Sequence, residues 1–168
     1  MAALIRILTA GLLLAVAIAP ATAVEDEASA GTRTLRPPVN PACVTSPFGP
    51  RVLPGLPKAG TFHPGIDLRA PPGGAVYAVA PGQVAAIRRR GAGGLFVLIR
   101  HEGFEALYAH LGSVTPALAE GKRTVAAGEK IGVVGRTGVS YGAHLYFQME
   151  VNGTKVDPAP LLGVAPCG

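Results

Sequence analysis

The sequence contains no tryptophan, and only 5% of its 168 residues are aromatic. Basic and aromatic residues are not interleaved anywhere along the chain, which argues against a nucleic-acid-binding surface. Acidic residues are also few, with 10 Asp and Glu against 15 Lys and Arg, so the formal charge is +5. This balance suits contact with an anionic polymer, but it is equally ordinary for an exported protein.

Long hydrophobic runs are absent except at the N-terminus. Residues 1–23 contain a single charge at Arg6, an apolar stretch over residues 7–19, and Ala21-Thr22-Ala23 as a small-x-small cleavage site. The stretch is shorter than the ~20 residues that a membrane-spanning helix requires, and no cysteine follows it that would carry a lipid. We therefore expect a signal peptide at 1–23 and a secreted or periplasmic protein with no stable membrane anchor.

Only two cysteines are present, Cys43 and Cys167, and they lie near the two ends of the remaining chain. Such a pair can be oxidised in an exported protein. We predict a disulfide between them, with two free thiols as the alternative. In the chain-entropy account, closing so long a loop contributes at most ~5 kcal/mol.

The chain after the predicted cleavage site divides into a leader and one domain. Residues 24–42 are rich in Glu, Ala, Thr and Pro and have no apolar periodicity, so we interpret them as a flexible leader. Residues 43–168 alternate short apolar runs with Gly and Pro at close intervals. This pattern predicts an all-β domain with a small antiparallel sheet, which we expect to be monomeric.

Five segments have the clearest strand pattern. They are Gln83–Arg88, Leu95–His101, Glu105–Leu111, Lys130–Val134 and His144–Val151. The glycine-rich residues 90–94 predict a tight turn between the first two of these strands. Residues 116–122 have slight helical character and predict a loop or a single turn.

Strand alternation predicts which side chains share a face. In the last strand, one face carries the polar set His144, Tyr146, Gln148 and Glu150, and the core face carries Leu145, Phe147, Met149 and Val151. The same rule places Tyr108 and His110 together on a polar face, opposite the leucines of their strand. Each of these two strands is therefore predicted to present a histidine from a polar face.

The segment His63-Pro64-Gly65-Ile66-Asp67 places a histidine four residues before an aspartate. A fully extended chain would separate the two side chains by ~13 Å, which is too far for ligands of one metal ion. The Pro-Gly pair supplies the bend that proximity requires, and it also disfavours a helix. By itself the motif is weak, because a turn with a surface aspartate gives the same pattern.

Four motifs occur together in one order. They are Ser46-Pro47-Phe48-Gly49-Pro50-Arg51, His63-Pro64-Gly65-Ile66-Asp67, Tyr108-Ala109-His110-Leu111 and Gly142-Ala143-His144-Leu145-Tyr146-Phe147. Together they resemble the M23 peptidase family, of the lysostaphin and LytM type, over roughly residues 46–162. The resemblance implies a small antiparallel β domain whose groove holds one zinc ion and cleaves peptide bonds of bacterial peptidoglycan.

The resemblance also assigns roles to residues. His63 and Asp67 match zinc ligands, and His110 and His144 match the catalytic histidines that act on the water and the developing oxyanion. The third ligand of the family is the second histidine of a His-x-His pair, and Tyr146 stands at that position. In the family, a fourth position binds water, whose pKa the zinc ion lowers from ~15.7 towards ~7.

Tyr146 leaves two functions open. A phenol binds zinc once it is deprotonated, but the pKa of a free tyrosine is ~10. In the alternative, Tyr146 fills the groove in place of the metal and its hydroxyl bonds to Asp67 or His63. The first case gives a zinc metalloendopeptidase. The second gives a noncatalytic LytM-type protein that binds peptidoglycan peptides or activates a cell-wall amidase.

Three other sets of polar residues are assigned no catalytic or metal-binding role. His101 lies at a strand end, and we assign it no metal role. Residues 88–90 are three arginines beside a glycine turn, which we interpret as a solvated hairpin tip, with wall-anion binding as the alternative. We expect Arg51 and Tyr141 to border the groove.

Overall fold

The structure, a computed structural model, describes residues 35–55 and 60–168. The predicted signal peptide and residues 24–34 of the predicted leader lie outside these ranges. The strands are β1 (Val44–Ser46), β2 (Gly49–Pro50), β3 (Phe62–His63), β4 (Ile66–Arg69), β5 (Ala75–Tyr77), β6 (Gly82–Arg89), β7 (Leu95–His101), β8 (Phe104–Val114), β9 (Thr124–Val125), β10 (Lys130–Val134), β11 (His144–Val151) and β12 (Thr154–Val156). The helices are α1 (Pro116–Ala119) and α2 (Ala159–Leu162).

One antiparallel sheet dominates the fold, in the order β1-β4-β11-β8-β7-β6-β9. β10 joins it through β5 and β8, β12 pairs with β11, and β2 and β3 form a separate two-stranded sheet. The predicted all-β architecture is confirmed, and all five predicted strands occur with ends within three residues of those expected. Both helices are single turns, and no helix in the described ranges is long and apolar enough to cross a membrane.

In the central part of the sheet, β11 lies between β8 and β4 and pairs with both. Alternation along β11 buries Leu145, Phe147 and Met149, as predicted, whereas Val151 is only half-buried at the strand end. The ring of Phe147 packs edge-on against Tyr108 of β8, with 5.1 Å between centroids. Each large apolar side chain buried in this way contributes ~1.5–3 kcal/mol.

The prediction that Tyr108 lies on the polar face of β8 is wrong. Its side chain is fully buried in the core, where its hydroxyl accepts a hydrogen bond from the Val79 amide at 3.0 Å. The reason lies two residues later, where His110 adopts a positive φ of 61° and the register of β8 shifts against β7 and β10. This irregularity breaks strict alternation. Tyr108 and His110 therefore face opposite sides of the sheet.

The two ends of the domain are joined as predicted by a disulfide between Cys43 and Cys167. Backbone hydrogen bonds reinforce this link, because the Val44 amide donates to Ala165 and the Cys167 amide donates to the Val44 carbonyl. The disulfide thus anchors β1 at the edge of the sheet, beside β4.

The described end of the predicted flexible leader is packed against the domain, so this part of the prediction is corrected. Leu35 and Val39 are buried in the hydrophobic core, with 8% and 2% of their surface exposed. The Arg36 amide donates to the Val79 carbonyl, and the Tyr77 amide donates to Pro38. Two isolated apolar residues among prolines give no periodic signal, although each fills a place in the core.

Candidate functional site

Five side chains singled out in the sequence line one groove of about 490 Å³ on the outer face of the central strands. They are His63, Asp67, His110, His144 and Tyr146. Exposed apolar residues, Leu53, Phe62, Val139 and Tyr141, also line this groove. Arg51 and Tyr141 line the groove as expected, whereas Phe62 and Val139 were missed because isolated exposed apolar residues give no sequence signal.

The bend predicted between His63 and Asp67 is present. His63 Nε2 lies 3.3 Å from Asp67 Oδ1, across the turn formed by Pro64 and Gly65. Gly65 lies against β11 so closely that a Cβ there would be 2.4 Å from the Phe147 carbonyl oxygen. Only glycine fits at this position, and it thereby brings the His63 turn onto the groove floor.

Each histidine of the groove is oriented by a backbone carbonyl. The Nδ1 atoms of His63, His110 and His144 lie 2.9 Å from Pro47 O, 2.8 Å from Thr137 O and 3.0 Å from Gly142 O, respectively. A carbonyl only accepts, so Nδ1 carries the proton in each ring and Nε2 is directed elsewhere. These three carbonyls were not predictable from the sequence, because they come from loops with no distinguishing side chain.

Asp67 is the meeting point of two of these rings. His63 Nε2 and His144 Nε2 lie 3.3 and 3.4 Å from the same oxygen, Oδ1. Arg51 Nη1 is 4.0 Å from the other carboxylate oxygen and donates to Ser46 Oγ at 3.1 Å. With Nδ1 protonated in both rings, two imidazole nitrogens with lone pairs face one carboxylate oxygen.

His110 completes the histidine group through an edge-on contact with His144, with 4.7 Å between ring centroids. Burial lowers the pKa of His110, and the hydrogen bond to the Thr137 carbonyl only partly opposes this effect. The ring is therefore neutral at pH 7, and its Nε2 is a proton acceptor. His101 lies outside the groove, where Nδ1 donates to Pro81 O and the ring stacks on Phe104.

Tyr146 lies on the groove floor between β4 and β8, where it pairs in register with Asp67 and Ala109. Its hydroxyl donates to Gln148 Oε1 at 2.9 Å, so the expected bond to Asp67 or His63 is corrected. Burial raises the pKa of Tyr146, and the Asp67 carboxylate raises it further. Tyr146 is consequently a neutral phenol at physiological pH rather than a phenolate.

The residues present do not fit the three-ligand zinc site that the resemblance implies. In the described part of the chain, no group of three His, Cys, Asp or Glu side chains is arranged to hold a metal ion. His63 and Asp67 are in place, but the position that the resemblance assigns to the third ligand holds Tyr146, whose hydroxyl donates to Gln148. A neutral phenol is a poor ligand for zinc, which takes thiolate, imidazole or carboxylate donors.

Comparison with known proteins identifies the family. The model of peptidase family M23 matches residues 61–158, which is more than half of the chain. The protein belongs to peptidase family M23. The fold agrees with that of a zinc-containing peptidase from Vibrio cholerae, with a TM-score of 0.64, 28% identity, and coverage of 77% of this chain and 40% of that one.

Two curated relatives in this family are named for their activities. The chain is 43% identical over 116 residues to the DD-carboxypeptidase/endopeptidase Mpg of Neisseria meningitidis, covering 68% of this chain and 26% of that protein. It is 31% identical over 115 residues to the peptidoglycan DD-endopeptidase ShyB of Vibrio cholerae, with the same two coverages. This M23 chain thus spans about a quarter of the length of either relative.

Proposed function

We propose that this M23 protein binds peptidoglycan peptides in the groove and does not cleave them by zinc catalysis. The observation that supports the proposal is the Tyr146 hydroxyl, which donates to Gln148, at the position that the family resemblance assigns to the third zinc ligand. A secreted or periplasmic location is part of the proposal, since that is where an exported chain would meet this polymer.

The groove has the features of a peptide-binding site. Its floor presents polar groups from β4, β8 and β11, while exposed apolar side chains lie among its lining residues. Phe62 and Tyr141 are about half exposed, at 49% and 52%. Polar groups that fix orientation beside apolar contact surface are typical of small-ligand sites. The peptide backbone would bond to the floor, and its aliphatic side chains would contact the apolar residues.

Binding is tested by titrating the purified protein with a synthetic stem-type peptide in the presence of a chelator. We expect saturable binding that EDTA does not weaken and no new peptide fragments after prolonged incubation. A matched variant, Asp67→Asn, keeps the shape of the floor while removing its carboxylate. The absence of binding to any stem-type peptide would contradict the proposal, as would chelator-sensitive cleavage.

We propose a cell-wall amidase as the alternative partner of this protein. In that case the groove would bind a segment of the amidase rather than wall peptide. The two occupants are distinguished by competition: stem-type peptide should displace an amidase from the protein only if both use the groove.

A zinc metalloendopeptidase is the second candidate, and one observation favours it. His63 Nε2 and His144 Nε2 both face Asp67 Oδ1 at distances near 3.3 Å, about the edge length of a tetrahedron with ~2.0–2.1 Å metal–ligand bonds. If zinc binding rearranged the groove so that His144 became a ligand, these three side chains would hold the ion and Tyr146 would not be needed. Measurement of zinc content in the wild type and in a His144→Gln variant tests this candidate.

A further inference from the structure

Tyr146 and Gln148 form a hydrogen-bonded pair on the groove floor, which we call the Tyr146–Gln148 pair. Both residues are half-buried, lie on the same face of β11, and line the groove. The Tyr146 hydroxyl donates to Gln148 Oε1 at 2.9 Å. At the position that the resemblance assigns to a metal ligand, the pair places two polar groups that line the groove.

The pair has both a donor and an acceptor to offer. Gln148 uses its carbonyl oxygen for Tyr146, and its NH₂ group retains two donors. The Tyr146 oxygen uses its proton for Gln148, and its lone pairs still accept. A donor next to an acceptor is complementary to an amide, which presents a C=O beside an N–H. A carboxylate presents acceptors alone and matches only half of the pair.

The position of the pair is fixed by its surroundings. Gly65 lies beneath the phenol ring, where an added Cβ would be 3.0 Å from Tyr146 Cζ, and the His63 ring contacts the same phenol with 5.4 Å between centroids. Gln148 pairs in register with Leu107, which also lines the groove. A preorganised pair of this kind distinguishes ligands more sharply than mobile surface groups do.

The carboxylate of Asp67 also disfavours an anionic ligand at the Tyr146–Gln148 pair. Asp67 of β4 pairs in register with Tyr146 of β11, and both side chains line the same groove. A ligand carboxylate bound at the pair would be repelled by Asp67, whereas an uncharged amide would not.

On the basis of the proposed function, we infer that the Tyr146–Gln148 pair is a subsite for an uncharged amide of the peptidoglycan peptide and that it excludes a free carboxylate. The amide is either a main-chain peptide bond or a primary carboxamide, since both present the same donor and acceptor. Sites built to satisfy buried polar groups reject analogues that leave those groups unpaired.

The test uses two sets of stem-type peptides and isothermal titration calorimetry. In the first set, each free carboxylate is converted in turn to a carboxamide. In the second, each main-chain nitrogen is methylated in turn. If the occupant is a carboxamide, one conversion should strengthen binding by about tenfold, and if it is a peptide bond, one methylation should weaken binding by about as much.

Substitutions test whether the Tyr146–Gln148 pair causes the preference for an amide. Gln148→Glu keeps an acceptor for the Tyr146 hydroxyl but removes both N–H donors, so it should abolish the amide preference. Tyr146→Phe keeps the ring and removes the acceptor, so it should reduce the preference as well. Gln83 is an exposed glutamine on β6, away from the groove, and Gln83→Glu is the matched control that should preserve the preference.

The outcomes separate this inference from the proposed function. Equal binding of all peptides, or an amide preference that persists in Gln148→Glu, would overturn the amide subsite while leaving peptide binding intact. Absence of binding to every peptide would overturn both. Circular dichroism melting of each variant distinguishes a lost preference from a lost fold.

Discussion

The groove has two halves with different character. In the histidine half, His63, His110 and His144 are each held by a backbone carbonyl, and two of them face Asp67. In the tyrosine half, Tyr146 is held by packing on Gly65 and by a side-chain bond to Gln148. The scaffold thus preorganises both halves, and our proposal is that Tyr146 keeps the histidine half from completing a zinc site.

The largest effect is expected from removing the disulfide that holds β1 beside the histidine half. β1 carries Thr45, whose hydroxyl donates to the Asp67 carbonyl, and Cys43 ties this strand to Cys167. Replacing both cysteines with serine should reduce the free energy of unfolding by about 2–5 kcal/mol. Denaturant unfolding measures this loss, and unchanged stability would show that β1 is held without the disulfide.

A somewhat smaller effect is expected at the contact between the two halves. In Gly65→Ala, the new Cβ would meet the Phe147 carbonyl and the phenol of Tyr146, so the turn must move away from β11. We expect a loss of about 1–3 kcal/mol and weaker peptide binding, measured by thermal unfolding and calorimetry. Gly142→Ala is the control, since no atom lies within 4 Å of its Cβ position, and equal destabilisation of both variants would contradict this account.

Loss of the hydroxyl in the tyrosine half should have a modest effect on stability. Tyr146→Phe keeps the ring on Gly65 and removes the hydrogen bond to Gln148, which should cost about 1 kcal/mol. Zinc content should be the same in both proteins, because the neutral phenol is not a ligand. A Tyr146→Phe variant that had lost a bound zinc would place the hydroxyl on the metal.

The smallest effect concerns protonation. Burial lowers the pKa of both His110, inside the groove, and His101, outside it. The unfolded chain therefore takes up protons at these residues before the folded one does, and stability should fall as the pH drops below ~6.5. NMR titration should give midpoints below that value for both rings. A midpoint above it for His110 alone would mean that Asp67 outweighs burial in the groove.

Much of the histidine half was predictable because its signals are local. Strand alternation in β11 predicted the polar face of His144, the Pro-Gly bend allowed His63 to approach Asp67, and the family resemblance placed the three side chains in one groove, where the structure has them. The family motifs added His110. For the Pro-Gly bend and the alternation of β11, the residues that produce the signal lie within a few residues of the side chain concerned.

The remaining features depend on contacts between distant parts of the chain. His110 departs from strict alternation because three hydrogen bonds hold it. Its amide donates to the Gly93 carbonyl, its ring donates to the Thr137 carbonyl, and its own carbonyl accepts from the Gly135 amide. The sequence of β8 alone therefore could not predict which face Tyr108 occupies. Leu35 is similar, since its place in the core depends on the rest of the fold. Gln148 was on the predicted polar face, but nothing in the sequence indicated that it would bond to Tyr146.

The most direct test of the central claim is zinc content per chain in the wild type and in Tyr146→His, after dialysis against trace zinc. We predict well under one zinc per wild-type chain and about one per variant chain, because the histidine supplies the missing third donor. One tightly held zinc in the wild type would contradict the claim and favour the metalloendopeptidase. No zinc in either protein would contradict the assignment of residue 146 to the third ligand position.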